Sequence, residues 1–198
     1  MDLDTMHRLV EQALEYPPAE VEYRNYYKYI PYYHLFYLLV KEMVSHLPDS
    51  DRLTVVELGM DEGRGAASFA AGSDRADVYG IDHTVRDPPL FSVLKKYPNI
   101  KFIHRLCVPA QLEQFPPINI LHIDTDHTYA QCKSEFEAYS PGLAPGAIVL
   151  FDDLHDDNDG LQRFFRTIPW PKIEDDRLHS REHFIVGKLE GYGIALAP

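Results

Sequence analysis

Three glycines follow a short apolar run, in the stretch Glu57-Leu-Gly59-Met-Asp-Glu-Gly63-Arg-Gly65. Without side chains they leave the backbone open at a strand-to-helix turn, so a ligand could lie against main-chain N–H groups there. The G-x3-G-x-G spacing differs from the G-x-G-x-x-G that binds a dinucleotide, and no Gly-Lys-Ser/Thr follows as in a P-loop. Since Glu57 would also repel a diphosphate, a positively charged ligand fits better. The alternative is a glycine turn that binds nothing.

Asp82 ends the next apolar run. A carboxylate at the end of a second strand can accept both hydroxyls of a ribose, in NAD as well as in S-adenosylmethionine. The alternative is an aspartate that only caps the following turn. Because Glu57 is present and a pyrophosphate-binding pattern is absent, we expect a ligand with a nucleoside and a positive charge.

Three further carboxylates follow two later apolar runs: Asp124 after one, and Asp152 and Asp153 after the other. If those runs form neighbouring strands about 4.8 Å apart, the three side chains converge. Two carboxylates ~4 Å apart repel each other by about 4 kcal/mol at an effective dielectric constant of about 20, which a proton or a cation would relieve. Oxygen ligands favour Mg²⁺, with Ca²⁺ and Mn²⁺ as alternatives and zinc less suited. The other interpretation is a solvated acidic loop, which we favour for Asp156, Asp157 and Asp159.

His127 lies three residues beyond Asp124, at the start of a predicted helix. An imidazole with an ordinary pKa near 6.5 can remove a proton at neutral pH, especially from a hydroxyl bound to a metal. We therefore expect His127 to be the catalytic base, with His155 as the competing candidate.

These residues need a scaffold that brings strand ends together. Buried strands are predicted at Leu53–Leu58, Val78–Ile81, Ile100–His104, Ile118–Ile123 and Ala147–Phe151, with helix-compatible segments between most of them. Such alternation predicts a parallel α/β sheet.

The remaining elements frame this sheet. Apolar spacing predicts helices over residues 3–15 and 32–46, and Thr128-Tyr-Ala-Gln131 is a capping box for a helix that runs to Pro141-Gly142. The runs His183–Leu189 and Tyr192–Ala197 predict an antiparallel hairpin that closes one edge of the sheet.

Length and composition bound the class of protein. With 198 residues, 45% of them hydrophobic and 25% charged, we expect one globular domain, with a helical segment over 1–50 and a ligand-binding core over 51–198. A net charge of −12 opposes binding to nucleic acid or anionic membranes. Cys107 and Cys132 make no disulfide framework, and residues 1–15 carry charges throughout, so we expect a soluble, cytoplasmic protein.

The stretches VVELGMDEGRG, VYGID, INILHIDTDHTYAQCKSEFEAYSPGLAPGAIVLFDD and GYGIALA together resemble a class I S-adenosylmethionine-dependent methyltransferase. More narrowly, the chain is similar to metal-dependent O-methyltransferases related to macrocin O-methyltransferase and the cephalosporin hydroxylase group. The resemblance covers about residues 50–198. It implies a Rossmann-like, seven-stranded sheet with helices on both faces, mostly parallel, with an antiparallel last strand.

The resemblance also implies roles for individual residues. The expected cofactor-binding residues are Glu57, Gly59, Gly63, Gly65, Asp82 and Asp124. The implied metal ligands are Asp124, Asp152 and Asp153, and the implied base is His127. The chain departs from the family after the third strand, where His104-Arg-Leu-Cys107 replaces the usual Asp or Ser, so no adenine contact is carried over.

Seven of the 13 tyrosines fall between Tyr23 and Tyr37. They could form an aromatic lid over a planar acceptor or the sulfonium. The alternative is a packing face, or a dimer face through which a homo-oligomer forms.

Together these observations predict Mg²⁺-dependent transfer of a methyl group from S-adenosylmethionine to a hydroxyl of a small molecule, such as a sugar, a catechol or a natural product. Neither nucleic acid nor membrane is an expected partner. The alternatives are a nicotinamide-dependent oxidoreductase, which the glycine spacing disfavours, and a catalytically silent nucleoside-binding protein.

Overall fold

A computed structural model describes residues 1–15, 31–108, 115–154, 160–178 and 191–198. Over these ranges the chain forms one sheet with helices against both of its faces. The predicted residues His155, Asp156, Asp157 and Asp159, the run His183–Leu189 and most of the tyrosine-rich stretch lie outside them.

Within the described residues the sheet has seven strands in the order β3-β2-β1-β4-β5-β7-β6. The strands are β1 (Leu53–Leu58), β2 (Ala76–Asp82), β3 (Ile100–His104), β4 (Ile118–Ile123), β5 (Leu143–Phe151), β6 (Lys172–Asp175) and β7 (Tyr192–Leu196). β1 to β5 are parallel, and β7 runs antiparallel to both β5 and β6.

The helices are α1 (Leu3–Leu14), α2 (Pro31–Ser45), α3 (Arg64–Gly72), α4 (Pro89–Lys96), α5 (Tyr129–Tyr139) and α6 (Gly160–Thr167). Side chains cap two of them: Asp2 accepts the Thr5 N–H at 2.8 Å, and Thr128 accepts the Gln131 N–H at 3.2 Å. None of the helices in this part of the chain has both the length and the apolar character of a membrane span.

The five predicted parallel strands and the antiparallel last strand are confirmed, as is the helix that Thr128 begins. The antiparallel hairpin partner predicted at His183–Leu189 lies outside the described residues. Among the described residues, β7 pairs with β6 and β5. β6 was not predicted, because Lys-Ile-Glu-Asp contains a single buried apolar residue, Ile173.

The alternation along the central strands separates two hydrophobic cores. Val55 of β1 and Ile120 of β4 face the core that α1, α2 and α3 cover, whereas Val56 and Leu121 face the core beneath α5 and α6. By the same alternation, Glu57 and His122 lie on the α2–α3 face, directly opposite each other in the β1–β4 register. The sheet therefore places two polar side chains within an apolar layer.

Candidate active site

The crevice at the carboxyl ends of β1 and β4 lies where the strand order changes direction, which is where open α/β sheets bind ligands. The loops that leave these two strands are in direct contact. Asp124 N donates to the Leu58 carbonyl at 2.9 Å, and a Cβ added to Gly59 would lie 1.6 Å from the Asp124 carbonyl oxygen. Gly59 also has φ of +87°, so this close approach requires glycine.

The other two glycines of the turn prepare the start of α3. Gly63 precedes α3 with φ of +80°. A Cβ on Gly65 would lie 2.0 Å from Glu57 Oε1, so the helix backbone passes directly over that carboxylate. The three predicted glycines thus shape one turn around the end of β1.

Glu57 lies beneath this turn rather than in the open crevice, with 2% of its surface exposed. His122 Nδ1 lies 3.0 Å from Glu57 Oε1, and the backbone N–H of Ala66 lies close to the same carboxylate. Burial raises the pKa of Glu57, and the hydrogen bond from His122 opposes that change. The expected role of Glu57 in holding a cofactor stays a prediction, because the structure shows this carboxylate holding protein groups.

Asp82 joins the end of β2 to the glycine turn. Its Oδ2 accepts the Asp61 N–H at 2.8 Å, and its Oδ1 accepts the Thr84 N–H at 2.7 Å. The turn-capping alternative therefore applies to this residue. Each carboxylate oxygen can accept a second hydrogen bond, so a ribose role remains compatible and stays a prediction.

The acidic residues after β4 and β5 meet at one imidazole. His127 Nε2 lies 3.3 Å from Asp124 Oδ1, and His127 Nδ1 lies 3.3 Å from Asp153 Oδ2. His127 and Asp153 both have φ of +51°, a left-handed conformation that costs energy in residues other than glycine. The convergence of Asp124 and Asp153 is thus a feature of the structure, with the predicted base between them.

The charges around His127 govern its protonation. Burial lowers its pKa, but the hydrogen bond to Asp124 and the charge of Asp153 outweigh burial and raise the pKa to about 9. In this arrangement the ring is mainly an imidazolium at neutral pH, and it offsets the repulsion between the carboxylates. Its neutral form, which can accept a proton, is the minor one.

The same arrangement bears on the expected metal. Carboxylate oxygens are suitable ligands for Mg²⁺. Over the ranges that the structure describes, however, no three His, Cys, Asp or Glu side chains are grouped so that they could hold an ion. His127 takes the position between Asp124 and Asp153 where a cation would lie. An ion could bind between these carboxylates only if the His127 ring moved away, and the Mg²⁺ site stays a prediction.

Aromatic side chains at the beginning of α2 lie beside the crevice. The sequence analysis had left a lid and a packing face as alternatives for this segment. Tyr32 stacks on Tyr192 of β7, with ring centroids 5.4 Å apart and planes 10° apart. Burial, together with the charge of Asp152, raises the pKa of both phenols and of Tyr33. The side chain of Tyr32 is also largely buried, with 6% of its surface exposed. In the described part of the tyrosine-rich segment, these rings therefore pack beside the acidic crevice.

A second set of residues missed by the sequence analysis holds the loop after β4. The hydroxyl of Thr125 donates to Glu135 Oε2 at 2.8 Å, and Gln131 Nε2 donates to Glu135 Oε1 at 2.7 Å. Glu135 is fully buried, and burial raises its pKa. The signal available in the sequence was a glutamate between Cys132 and Tyr139 on the inner face of α5.

Residues 56–154 match the family described as "Methyltransferase domain". No curated protein sequence matches the chain. Among solved structures it is similar to the O-methyltransferase from Bacillus cereus in complex with SAH, at 13% identity and a TM-score of 0.57, over 100% of this chain and 92% of that one. It is also similar to the apo TDP-rhamnose 3'-O-methyltransferase of calicheamicin biosynthesis, at 18% identity and a TM-score of 0.56, over 97% and 93%.

A third similar structure is an rRNA methylase from Streptococcus thermophilus, at 15% identity and a TM-score of 0.61, over 83% of this chain and 94% of that one. At such identities the likeness establishes the fold.

Proposed function

The chain belongs to the methyltransferase-domain family, and from that premise we propose that it transfers the methyl group of S-adenosylmethionine to a hydroxyl of a small molecule. The observation that carries the proposal is the family match over residues 56–154, which spans all the strand ends of the crevice from Glu57 to Asp153. The sheet order with reversed β7 agrees with the class I methyltransferase fold.

The cofactor is proposed to lie along the Gly59–Gly65 turn, where α3 begins. In this proposal Asp82, at the end of β2, accepts the ribose hydroxyls. A sulfonium suits this crevice because Asp124 and Asp152 follow the carboxyl ends of β4 and β5, at the same edge of the sheet as the glycine turn.

Methyl transfer needs one proton to be removed. The hydroxyl oxygen attacks the methyl carbon in line with the carbon–sulfur bond, whose electron pair passes to sulfur and leaves S-adenosylhomocysteine. The hydroxyl proton passes to the neutral form of His127, which requires one ring nitrogen to leave its carboxylate partner, Asp124 or Asp153, and to face the acceptor. We derive no step through a metal. The Mg²⁺ requirement that the resemblance implies is a separate part of the proposal, with its own test.

A base beside the crevice suits a hydroxyl acceptor better than an amine, because a neutral amine attacks through its lone pair whereas a hydroxyl oxygen becomes a good nucleophile only as its proton is removed. The similar Bacillus cereus and calicheamicin-pathway structures are both described as O-methyltransferases, which supports the same choice. The net charge of −12 favours a small molecule over nucleic acid as the acceptor.

Isothermal titration calorimetry tests the cofactor assignment. We expect S-adenosylhomocysteine to bind at one site per chain and NADH to give no heat. NADH binding without S-adenosylhomocysteine binding would instead support the oxidoreductase alternative. Incubation with S-adenosylmethionine labelled in its methyl group, against sugars, catechols and other vicinal diols, then tests the acceptor class. Label that enters only amines would reject O-methylation.

A further inference from the structure

The buried contact between Glu57 and His122 has no role in the mechanism above, yet it joins the two central strands directly below the glycine turn. Nδ1 of His122 lies 3.0 Å from Oε1 of Glu57, and the two residues are 1% and 2% exposed. They are paired in the β1–β4 register, so the backbone itself brings the side chains together.

The Glu57 carboxylate connects this pair to the cofactor turn. It lies close to the N–H of Ala66 in the first turn of α3, and Gly65 passes so near that a Cβ there would lie 2.0 Å from Oε1. A carboxylate at a helix N-terminus also interacts favourably with the helix dipole. The carboxylate therefore packs directly against the backbone of the turn.

The His122 ring is fixed in turn by aromatic neighbours. Phe36 of α2 lies 4.8 Å from it between ring centroids, edge to face, and Phe69 of α3 lies 6.0 Å away. In the part of the chain that the structure describes, His122 is the one side chain that hydrogen-bonds to the Glu57 carboxylate. The other carboxylate oxygen, Oε2, has no hydrogen-bond partner there. Loss of the imidazole would leave a buried carboxylate without a side-chain donor.

We propose that His122 is a positioning residue for the cofactor site, acting through Glu57 on the Gly59–Gly65 turn. This inference rests on the proposed function, because it assigns the turn to S-adenosylmethionine. His122 does not touch the ligand; it fixes the carboxylate that fixes the turn.

Two variants of His122 separate its hydrogen bond from its bulk. His122→Phe keeps a ring in the aromatic layer and removes the donor, whereas His122→Asn keeps a donor close to the position of Nδ1. We expect H122F to weaken S-adenosylhomocysteine binding about tenfold or more, and H122N to stay within about threefold of the wild type. The KM for S-adenosylmethionine should rise in H122F while kcat at saturating cofactor falls much less. A merely structural role would not produce this split.

A double-mutant cycle with Glu57→Gln tests whether His122 acts through Glu57. We expect E57Q/H122F to bind S-adenosylhomocysteine as E57Q does, since the second substitution removes a donor whose acceptor has already been neutralised. H122F alone could fail to fold because it leaves the buried charge of Glu57 unpaired. The comparison of E57Q with E57Q/H122F still decides in that case, because residue 57 is neutral in both variants. His34→Phe is the matched control. His34 is a second buried histidine, which lies on α2 and hydrogen-bonds to the backbone near the end of α1. The affinity of H34F should be unchanged.

Wild-type affinity in H122F, or a further tenfold loss from E57Q to E57Q/H122F, would overturn the inference while the wild type still binds the ligand. Failure of the wild type to bind S-adenosylhomocysteine would overturn the proposed function as well, so the two failures are distinguishable.

Discussion

Gly59 lies against the backbone of Asp124 so closely that a Cβ on Gly59 would fall 1.6 Å from the Asp124 carbonyl oxygen. This contact joins the loop proposed to hold the cofactor to the loop that carries Asp124 and His127. The two halves of the site are therefore built as one unit across β1 and β4.

Replacing Gly59 by Ala should disrupt both loops. The new Cβ clashes with backbone, which cannot rotate away, and the φ of +87° is strained for alanine. We expect a loss of at least about 2 kcal/mol in the free energy of unfolding and a large loss of S-adenosylhomocysteine affinity. Urea denaturation and calorimetry measure the two effects.

Gly142→Ala is the matched control, because a Cβ there meets only Ile118 Cδ1 at an ordinary 3.7 Å. G59A with the stability and affinity of G142A would contradict the described contact.

Replacing His127 by Ala should lower turnover far more than cofactor affinity. Loss of a positioned base typically lowers rates by about 10²–10⁴-fold. Single-turnover rates with labelled S-adenosylmethionine measure the chemical step, and calorimetry measures affinity. His46→Ala, at an exposed position near the end of α2, is the control. An unchanged single-turnover rate in H127A would remove His127 as the base.

Much of this site follows from the sequence, because residues that leave parallel strands must share one edge of the sheet. The positions of Gly59, Asp82, Asp124 and Asp152 follow from that rule. The ring of His127 between two carboxylates does not, since the left-handed backbone at His127 and Asp153 depends on how their loops close. The rule also gives no account of distant contacts.

The contact of Tyr32 with Tyr192 illustrates this limit, because it joins the beginning of α2 to the last strand. The sequence analysis missed His122 for another reason. It lies within an apolar strand, and its pairing with Glu57 follows only from the β1–β4 register, which the sequence does not give.

Removal of divalent metal tests the Mg²⁺ requirement that the sequence resemblance implies. If Mg²⁺ is required, then excess EDTA abolishes turnover, added Mg²⁺ restores it, and S-adenosylhomocysteine binding persists throughout. Full activity in EDTA would reject the metal role and agree with the position of His127 between Asp124 and Asp153.

Glu135 should stabilise the loop after β4 through its hydrogen bonds. Glu135→Ala leaves the Thr125 hydroxyl and the Gln131 amide without this partner, so we expect a loss of about 1–3 kcal/mol in the free energy of unfolding. Glu135→Gln can satisfy both groups after rotation of the amides, and should cost much less at neutral pH. Urea denaturation distinguishes the two variants.

The charge of Glu135 also predicts a pH dependence. Because burial raises its pKa above that of the unfolded chain, the unfolded state ionises first as the pH rises. The contribution of Glu135 to stability is therefore complete at low pH and is lost as the pH rises through its folded pKa. E135Q should show a flatter stability profile than the wild type above about pH 4, where the glutamate of the unfolded chain ionises. Glu137→Gln, at an exposed position on the same helix, should retain the wild-type slope; a wild-type slope in E135Q would contradict this account.

The most direct measurement of the central claim is a crystal structure of the protein with S-adenosylhomocysteine. We predict density for the ligand along the Gly59–Gly65 turn, with the ribose hydroxyls on Asp82 and the sulfur facing the crevice between Asp124 and Asp152. Ligand density at another place on the sheet would contradict the claim. So would a crystal grown at a saturating ligand concentration that shows no ligand density along the Gly59–Gly65 turn.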